Sequence, residues 1–108
     1  MSDLPRRVQI NEEGPREGFQ IERQPIATAR KIELVEALAT TGLQQIQVVS
    51  FVNPSRVPGM ADADQVVEGI QAFPGVRYTA LWLNHAGFLR AARHADKLDL
   101  YGTIALTA

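Results

Sequence analysis

The sequence contains no cysteine. Disulfides, thiolate nucleophiles and thiolate metal sites are therefore all excluded. It also lacks an excess of either charge: the formal net charge is -1, so no global field recruits nucleic acid or an acidic membrane. No stretch is long and apolar enough to span a membrane, and the N-terminal MSDLPRRVQ has no apolar core of signal-peptide length. A cytoplasmic protein is the expectation. No Gly-x-Gly-x-x-Gly follows the first strand pattern, which weighs against a dinucleotide-binding fold. At 108 residues the chain suffices for one small domain and not for two. The 45 % hydrophobic and 21 % charged residues are those of a soluble globular protein.

What is present alternates. Residues 1–6 are a polar lead-in. RVQIN, 7–11, places Val8 and Ile10 on one side and reads as a short strand. GPREGFQIE, 14–22, opens with a Gly-Pro breaker and reads as a loop. TARKIELVEALATTG has a helical stripe of Ile32, Val35, Leu38 and Ala39, with Thr28 as N-cap and Gly42 beyond its end. QIQVVSFV, 45–52, is a second strand. NPSRVPGMAD is a loop, and ADQVVEGIQAF a helix with Asp62 and Gln65 at capping-box spacing. VRYTALWL is a third strand, NHAGFLRAARHA a helix capped by Asn84, and LDLYGTIALTA a fourth strand.

The order βαβαβαβ implies parallel strands joined by right-handed crossovers. An open doubly wound sheet and part of a (β/α)8 barrel both fit. A fourth apolar strand with no covering helix suits the barrel, which takes about 250 residues when complete. The expectation is an α/β fold: the N-terminal half of a (β/α)8 TIM barrel, with four parallel strands in the order 1-2-3-4. Residues 7–108 form the partial barrel domain, truncated after strand four.

A barrel of this kind works at the C-terminal ends of its strands, where the loop 14–22 sits. Arg16 stays charged at any working pH and can bind a carbonyl or enolate oxygen. Glu17 offers hard oxygen donors suited to Mg²⁺ or Mn²⁺. A surface turn with a solvated Arg–Glu pair accounts for the same letters. Gln47 alternates with Gln45, Val49 and Phe51, opposite Ile46 and Val48. It is a lumen-facing substrate contact or a hydrogen-bonded core amide. His85 and His94 lie nine residues apart and fall on opposite faces of one helix, which excludes a shared metal. Phe88, Ala91 and Ala95 read as core, Asp62 and Asp64 as helix-cap residues, and Arg90, Arg93 and Lys97 as a solvated basic face.

Together GPREGFQIE, KIELVEAL, GLQQIQVVSFVNPSRVPGMADADQV and GIQAFPGV resemble 3-hydroxy-3-methylglutaryl-CoA lyase, a metal-dependent barrel lyase of the pyruvate carboxyltransferase-like group. The resemblance runs from about residue 8 to residue 92. It implies a retro-Claisen cleavage of a CoA thioester, releasing acetyl-CoA and a 3-keto acid, with a divalent metal (Mg²⁺ or Mn²⁺). By position in the motif, Arg16 would stabilise the enolate oxygen and Glu17 would be a metal ligand. Gln47 would stand at a catalytic position, and Gln20 with Arg16 would bind substrate. The family loop usually reads Gly-Pro-Arg-Asp-Gly-Leu-Gln, so Glu17 replaces an aspartate. Gln47 replaces a glutamate, and Glu13 stands where members tend to be apolar.

The resemblance also places a His-x-His metal pair, an asparagine ligand and a Gly-rich loop in a second half of the barrel. The implied partners are thus the CoA thioester and that C-terminal half, with no nucleic acid and no membrane; a homodimer is left open. Residues 1–108 alone are expected to be inactive. Two other functions fit the same letters: a non-catalytic α/β binding module, and an aldolase or synthase of the same barrel group.

Overall fold

A computed structural model describes residues 3–100. Three parallel strands form one sheet in the order β1-β2-β3: β1 (Asn11–Glu12), β2 (Gln45–Phe51) and β3 (Arg77–Trp82). Four helices accompany them: α1 (Gly14–Gln20), α2 (Thr28–Ala39), α3 (Ala63–Gly69) and α4 (His85–Ala92), with a 3-10 turn over Pro58–Met60. The sequential parallel order agrees with expectation. The expected fourth strand begins at Leu98, which bridges in parallel to Tyr78, while the Asp99 N–H donates to the Tyr78 carbonyl at 2.8 Å. Residues 101–108 of that strand lie outside the described residues.

Two local readings change. The first strand is two residues at Asn11–Glu12, and Val8 and Ile10 are 79 % and 65 % exposed. The stretch after it is a helix and not a loop. Pro15 occupies a first-turn position, where its missing N–H costs nothing. The Glu12 carboxylate accepts from the Gly14 N–H at 2.9 Å, which satisfies a donor that the helix cannot.

β2 carries a register slip. Gln47 pairs with Thr79, but Val49 pairs with Ala80, so Val48 is an extra residue. A bulge of this kind shifts the in–out alternation by one. Gln47 and Ser50 therefore share a side with α1, each bonded to one of its residues. Phe51, expected beside Gln47, instead stacks on His94 at 5.7 Å and lies under the Arg90 guanidinium at 5.1 Å.

The core runs through Val35, Ile46, Val49, Phe51, Met60, Val66 and Tyr78. On α2 the fully buried line is Lys31, Val35 and Ala39, at i, i+4, i+8. Lys31 is 3 % exposed. Its ammonium donates to the Gly59 carbonyl and to Asp62 Oδ1 at 2.6 Å, and it faces the Phe19 ring at 5.9 Å. Asp62 also accepts from the Thr28 hydroxyl at 2.6 Å. Neither expected cap therefore forms: Ala27 is the N-cap position of α2, and Asp62 makes no side-chain cap bond on α3. Asn84 does cap α4, accepting from the Gly87 N–H at 2.8 Å.

Of the basic face, Arg93 is exposed as expected, but Arg90 and Lys97 are not simply solvated. Lys97 donates to the carbonyls of Val67, Glu68 and Ile70, satisfying the free end of α3. Arg90 donates to the Val52 carbonyl at 3.1 Å and to Asp64 at 3.3 Å. Asp64 is no cap either: it also accepts from His94 Nε2 at 2.7 Å. Ala91 is buried as expected, Phe88 partly so, and Ala95 is exposed.

Two outcomes follow from these pairs. Asp62→Ala strands the Lys31 cation in the core and lowers unfolding free energy by about 3 kcal/mol, whereas Lys31→Met costs roughly 1 kcal/mol. Urea titration of both variants checks the order. For Asp64, burial works to raise the carboxyl pKa, but hydrogen bonds from His94 and Arg90 and their charges outweigh it and hold the pKa below its ordinary 3.8. A depressed folded-state pKa contributes stability that is present above the unfolded value and lost as pH falls through the folded value. Wild-type melting temperature should therefore fall below about pH 4, and the fall should be shallower in Asp64→Asn.

Candidate active site

The site assembles where α1 meets β2. Arg16 points onto the strand, and its side chain is only 13 % exposed. Each nitrogen of the guanidinium has its own acceptor. Nε donates to Gln47 Oε1 at 2.8 Å, Nη2 to Glu13 Oε2 at 3.0 Å, and Nη1 to Glu17 Oε2. Three acceptors on a planar donor fork fix its orientation as well as its place. The Glu13 and Glu17 side chains are 54 % and 59 % exposed, so their free oxygens face outward.

Helical geometry explains the grouping. Glu13 and Arg16 are three residues apart at the start of α1, the spacing at which side chains meet on one face. Gln20 ends the same helix, and its Oε1 accepts from Ser50 Oγ at 3.2 Å. Ser50 reaches Gln20 only because the bulge at Val48 turns it to the α1 side. Of the residues expected from sequence, Arg16, Glu17 and Gln47 are brought together, and Gln20 lies on the same helix, bonded further along β2 at Ser50. Glu13 and Ser50 were missed as members of the cluster. The Glu13 signal was its i,i+3 spacing from Arg16, hidden while the segment was read as a loop. Ser50 had none, since the slip leaves no trace in residue types.

Beside this cluster a cleft of about 350 Å³ opens at the C-terminal ends of β2 and β3. Gln20, Asn53, Arg56 and Asn84 give it polar edges; Val52, Val57, Leu81 and Leu83 line the rest. A larger hollow of about 520 Å³, lined by Arg7–Ile10 and Thr41–Gln44, lies at the opposite strand ends, away from the Arg16 cluster. The strand-end cleft is the better candidate, because Gln20 of α1, the helix that carries Arg16, is part of its wall. Among the described residues no three His, Asp or Glu side chains converge as a metal site. His85 packs near Phe88 and His94 is buried against Asp64, so the two histidines do not meet.

No family model matches the chain. Its sequence is 45 % identical over 103 residues to the mitochondrial hydroxymethylglutaryl-CoA lyase of Rattus norvegicus, covering 94 % of this chain and 32 % of that protein. It is 50 % identical over 95 residues to a 3-hydroxy-3-isohexenylglutaryl-CoA/hydroxy-methylglutaryl-CoA lyase of Pseudomonas aeruginosa, covering 88 % of this chain and 32 % of that protein. The fold superposes on a solved hydroxymethylglutaryl-CoA lyase from Pseudomonas aeruginosa with a TM-score of 0.81 and 47 % identity, over 87 % of this chain and 31 % of that one. An HMG-CoA lyase of Acinetobacter baumannii, solved with coenzyme A and 3-methylmalate, matches with a TM-score of 0.79 and 35 % identity, over 82 % of this chain and 29 % of that one. The chain thus spans about a third of the length of the curated relatives it matches. Three parallel strands with four helices match part of the lyase fold, and in sequence and fold the chain is similar to an N-terminal part of the HMG-CoA lyases.

Proposed function

We propose that this chain is the first part of a (β/α)8-barrel lyase that cleaves a 3-hydroxy-3-methylglutaryl-CoA-like thioester by a retro-Claisen step. The tertiary hydroxyl loses its proton, the adjacent carbon–carbon bond breaks, and acetyl-CoA leaves through its enolate while a 3-keto acid forms. The observation that carries this reading is the fixed, nearly buried guanidinium of Arg16 on the helix whose Gln20 edges a strand-end cleft. A preorganised donor fork of this kind suits an oxygen that gains charge during reaction. Gln20, tethered to Ser50, is the second substrate contact from the same helix.

Gln47 orients Arg16 but can neither carry charge nor accept a proton from the hydroxyl. That proton must go to a group supplied by the remainder of the barrel. The charge of the cluster is nevertheless suited to a cation: two carboxylates, Glu13 and Glu17, surround one guanidinium, which leaves one net negative charge. Glu17, with its hard oxygens and open face, fits as one donor to Mg²⁺ or Mn²⁺, and the other donors would come from the rest of the barrel. Such a cation, when bound, polarises the substrate hydroxyl and the neighbouring carbonyl oxygen.

The apolar part of the cleft favours a second, narrower reading. Val52, Val57, Leu81 and Leu83 offer room for a branch longer than methyl at carbon 3, as in the substrate named for the Pseudomonas relative. Comparing kcat/KM for 3-hydroxy-3-isohexenylglutaryl-CoA and hydroxymethylglutaryl-CoA decides between them; a ratio above one supports the longer branch.

The activity itself is tested in the complete reading frame. Arg16→Gln should lower kcat by about 10²–10³. Glu17→Ala should remove the dependence on added Mg²⁺ or Mn²⁺ together with the activity, and Glu17→Asp should retain both. A complete protein that cleaves no such thioester with either metal would instead support the non-catalytic module.

A further inference from the structure

Thr79 stands apart from the other described residues. Its hydroxyl is the one buried side-chain oxygen or nitrogen among them without a hydrogen-bond partner, in a residue 1 % exposed. Folded proteins rarely leave such a group unpaired, because burial strips its water and returns nothing. Thr79 lies on β3 in register with Gln47 on β2. Register partners on parallel strands point to the same side of the sheet, about 4.8 Å apart. Tyr78 and Ala80, on either side of Thr79, belong to the hydrophobic core, so the pleat puts Thr79 on the Gln47 side.

Gln47, which is only partly buried, has donors to offer. Arginine is a donor only, so the bond from Arg16 Nε fixes the carboxamide with its oxygen toward the guanidinium. Its amide N–H groups then face elsewhere, and among the described residues nothing accepts from them. A buried hydroxyl without a partner thus stands in register with an amide whose N–H groups are not committed to another described residue.

We propose that Thr79 is a positioning residue for Gln47, its hydroxyl accepting from the carboxamide Nε2 and so holding Oε1 on the Arg16 guanidinium during cleavage. This rests on the lyase reading above. In the structure Arg16 Nε donates to the Gln47 oxygen. A carboxamide steadied by Thr79 does not flip and present its N–H groups to the guanidinium, so Arg16 keeps the orientation in which it serves the developing enolate.

Packing alone is the competing account: a β-branched strand residue whose hydroxyl is incidental. The two accounts rank substitutions in opposite order. Thr79→Val keeps the shape and loses the hydroxyl; Thr79→Ser keeps the hydroxyl and loses the methyl. The test is steady-state cleavage of hydroxymethylglutaryl-CoA by the complete protein at saturating Mg²⁺, with a thermal melt of each variant. Positioning predicts that Val lowers kcat about five- to tenfold with KM nearly unchanged and Tm unchanged or higher. It predicts that Ser keeps kcat within about twofold while losing Tm, and that Val adds no further loss in a Gln47→Leu background. A wild type that cleaves, with Val equal to it or Ser the impaired variant, overturns the role of Thr79 and leaves the lyase reading intact. A wild type that does not cleave overturns both.

Discussion

One ammonium group joins four pieces of this chain. Lys31 projects from α2 into the core and meets the 3-10 turn at the Gly59 carbonyl, the start of α3 at Asp62, and α1 at the Phe19 ring. Burying a lone cation costs far more than a small domain can offset, so each contact is obligatory once Lys31 is inside. The consequence reaches the site. β1 is only two residues long, and α1, which carries Arg16, gains its placement from neighbours. Phe19 near its end is pressed so close to the Gly59 backbone that a Cβ there would come within 2.8 Å of the Phe19 carbonyl oxygen. The buried charge thus fixes the turn, and the turn fixes the helix that aims the guanidinium.

The electrostatics of that helix have a further logic. By its resemblance to the family, the strand position of Gln47 would hold a glutamate and position 13 an apolar residue. Here the strand is neutral and the helix carries Glu13, whose carboxylate lies on the same guanidinium. The cluster keeps one arginine and two carboxylates, with one charge moved from the sheet to the helix. The charge sum around Arg16 that the resemblance implies is thus kept while its geometry differs.

Much of the architecture could be read from residue patterns. β2 and β3 announce themselves by β-branched and aromatic runs, α2 and α4 by apolar periodicity, and Asn84 by its place before α4. The failures are equally particular. Gly14-Pro15 looks like a break because both residues disfavour helix interiors, yet at a first turn the proline is preorganised and Glu12 supplies the missing cap. Lys31 sits on the buried line of α2, where charge argues for exposure, because its partners lie 28 and 31 residues away. Arg90 and Lys97 read as solvated for the same reason: their acceptors, Asp64, the Val52 carbonyl and the end of α3, come from other elements. Local patterns specify elements; long-range pairing of charge specifies which face of them is inside.

The extra residue at Val48 divides β2 into two stretches with opposite phase. Before it, even-numbered positions such as Ile46 are core; after it, odd-numbered positions such as Val49 and Phe51 are. Tolerance to polar substitution therefore changes parity in the middle of one seven-residue strand. A comparison of relatives that assumes unbroken alternation would score Ser50 as interior and Phe51 as site-facing, and would attribute variation at each to the wrong selective pressure. The bulge is also what lets a three-residue spacing put Gln47 and Ser50 on one side: without Val48 they would stand two residues apart and share that side by ordinary alternation.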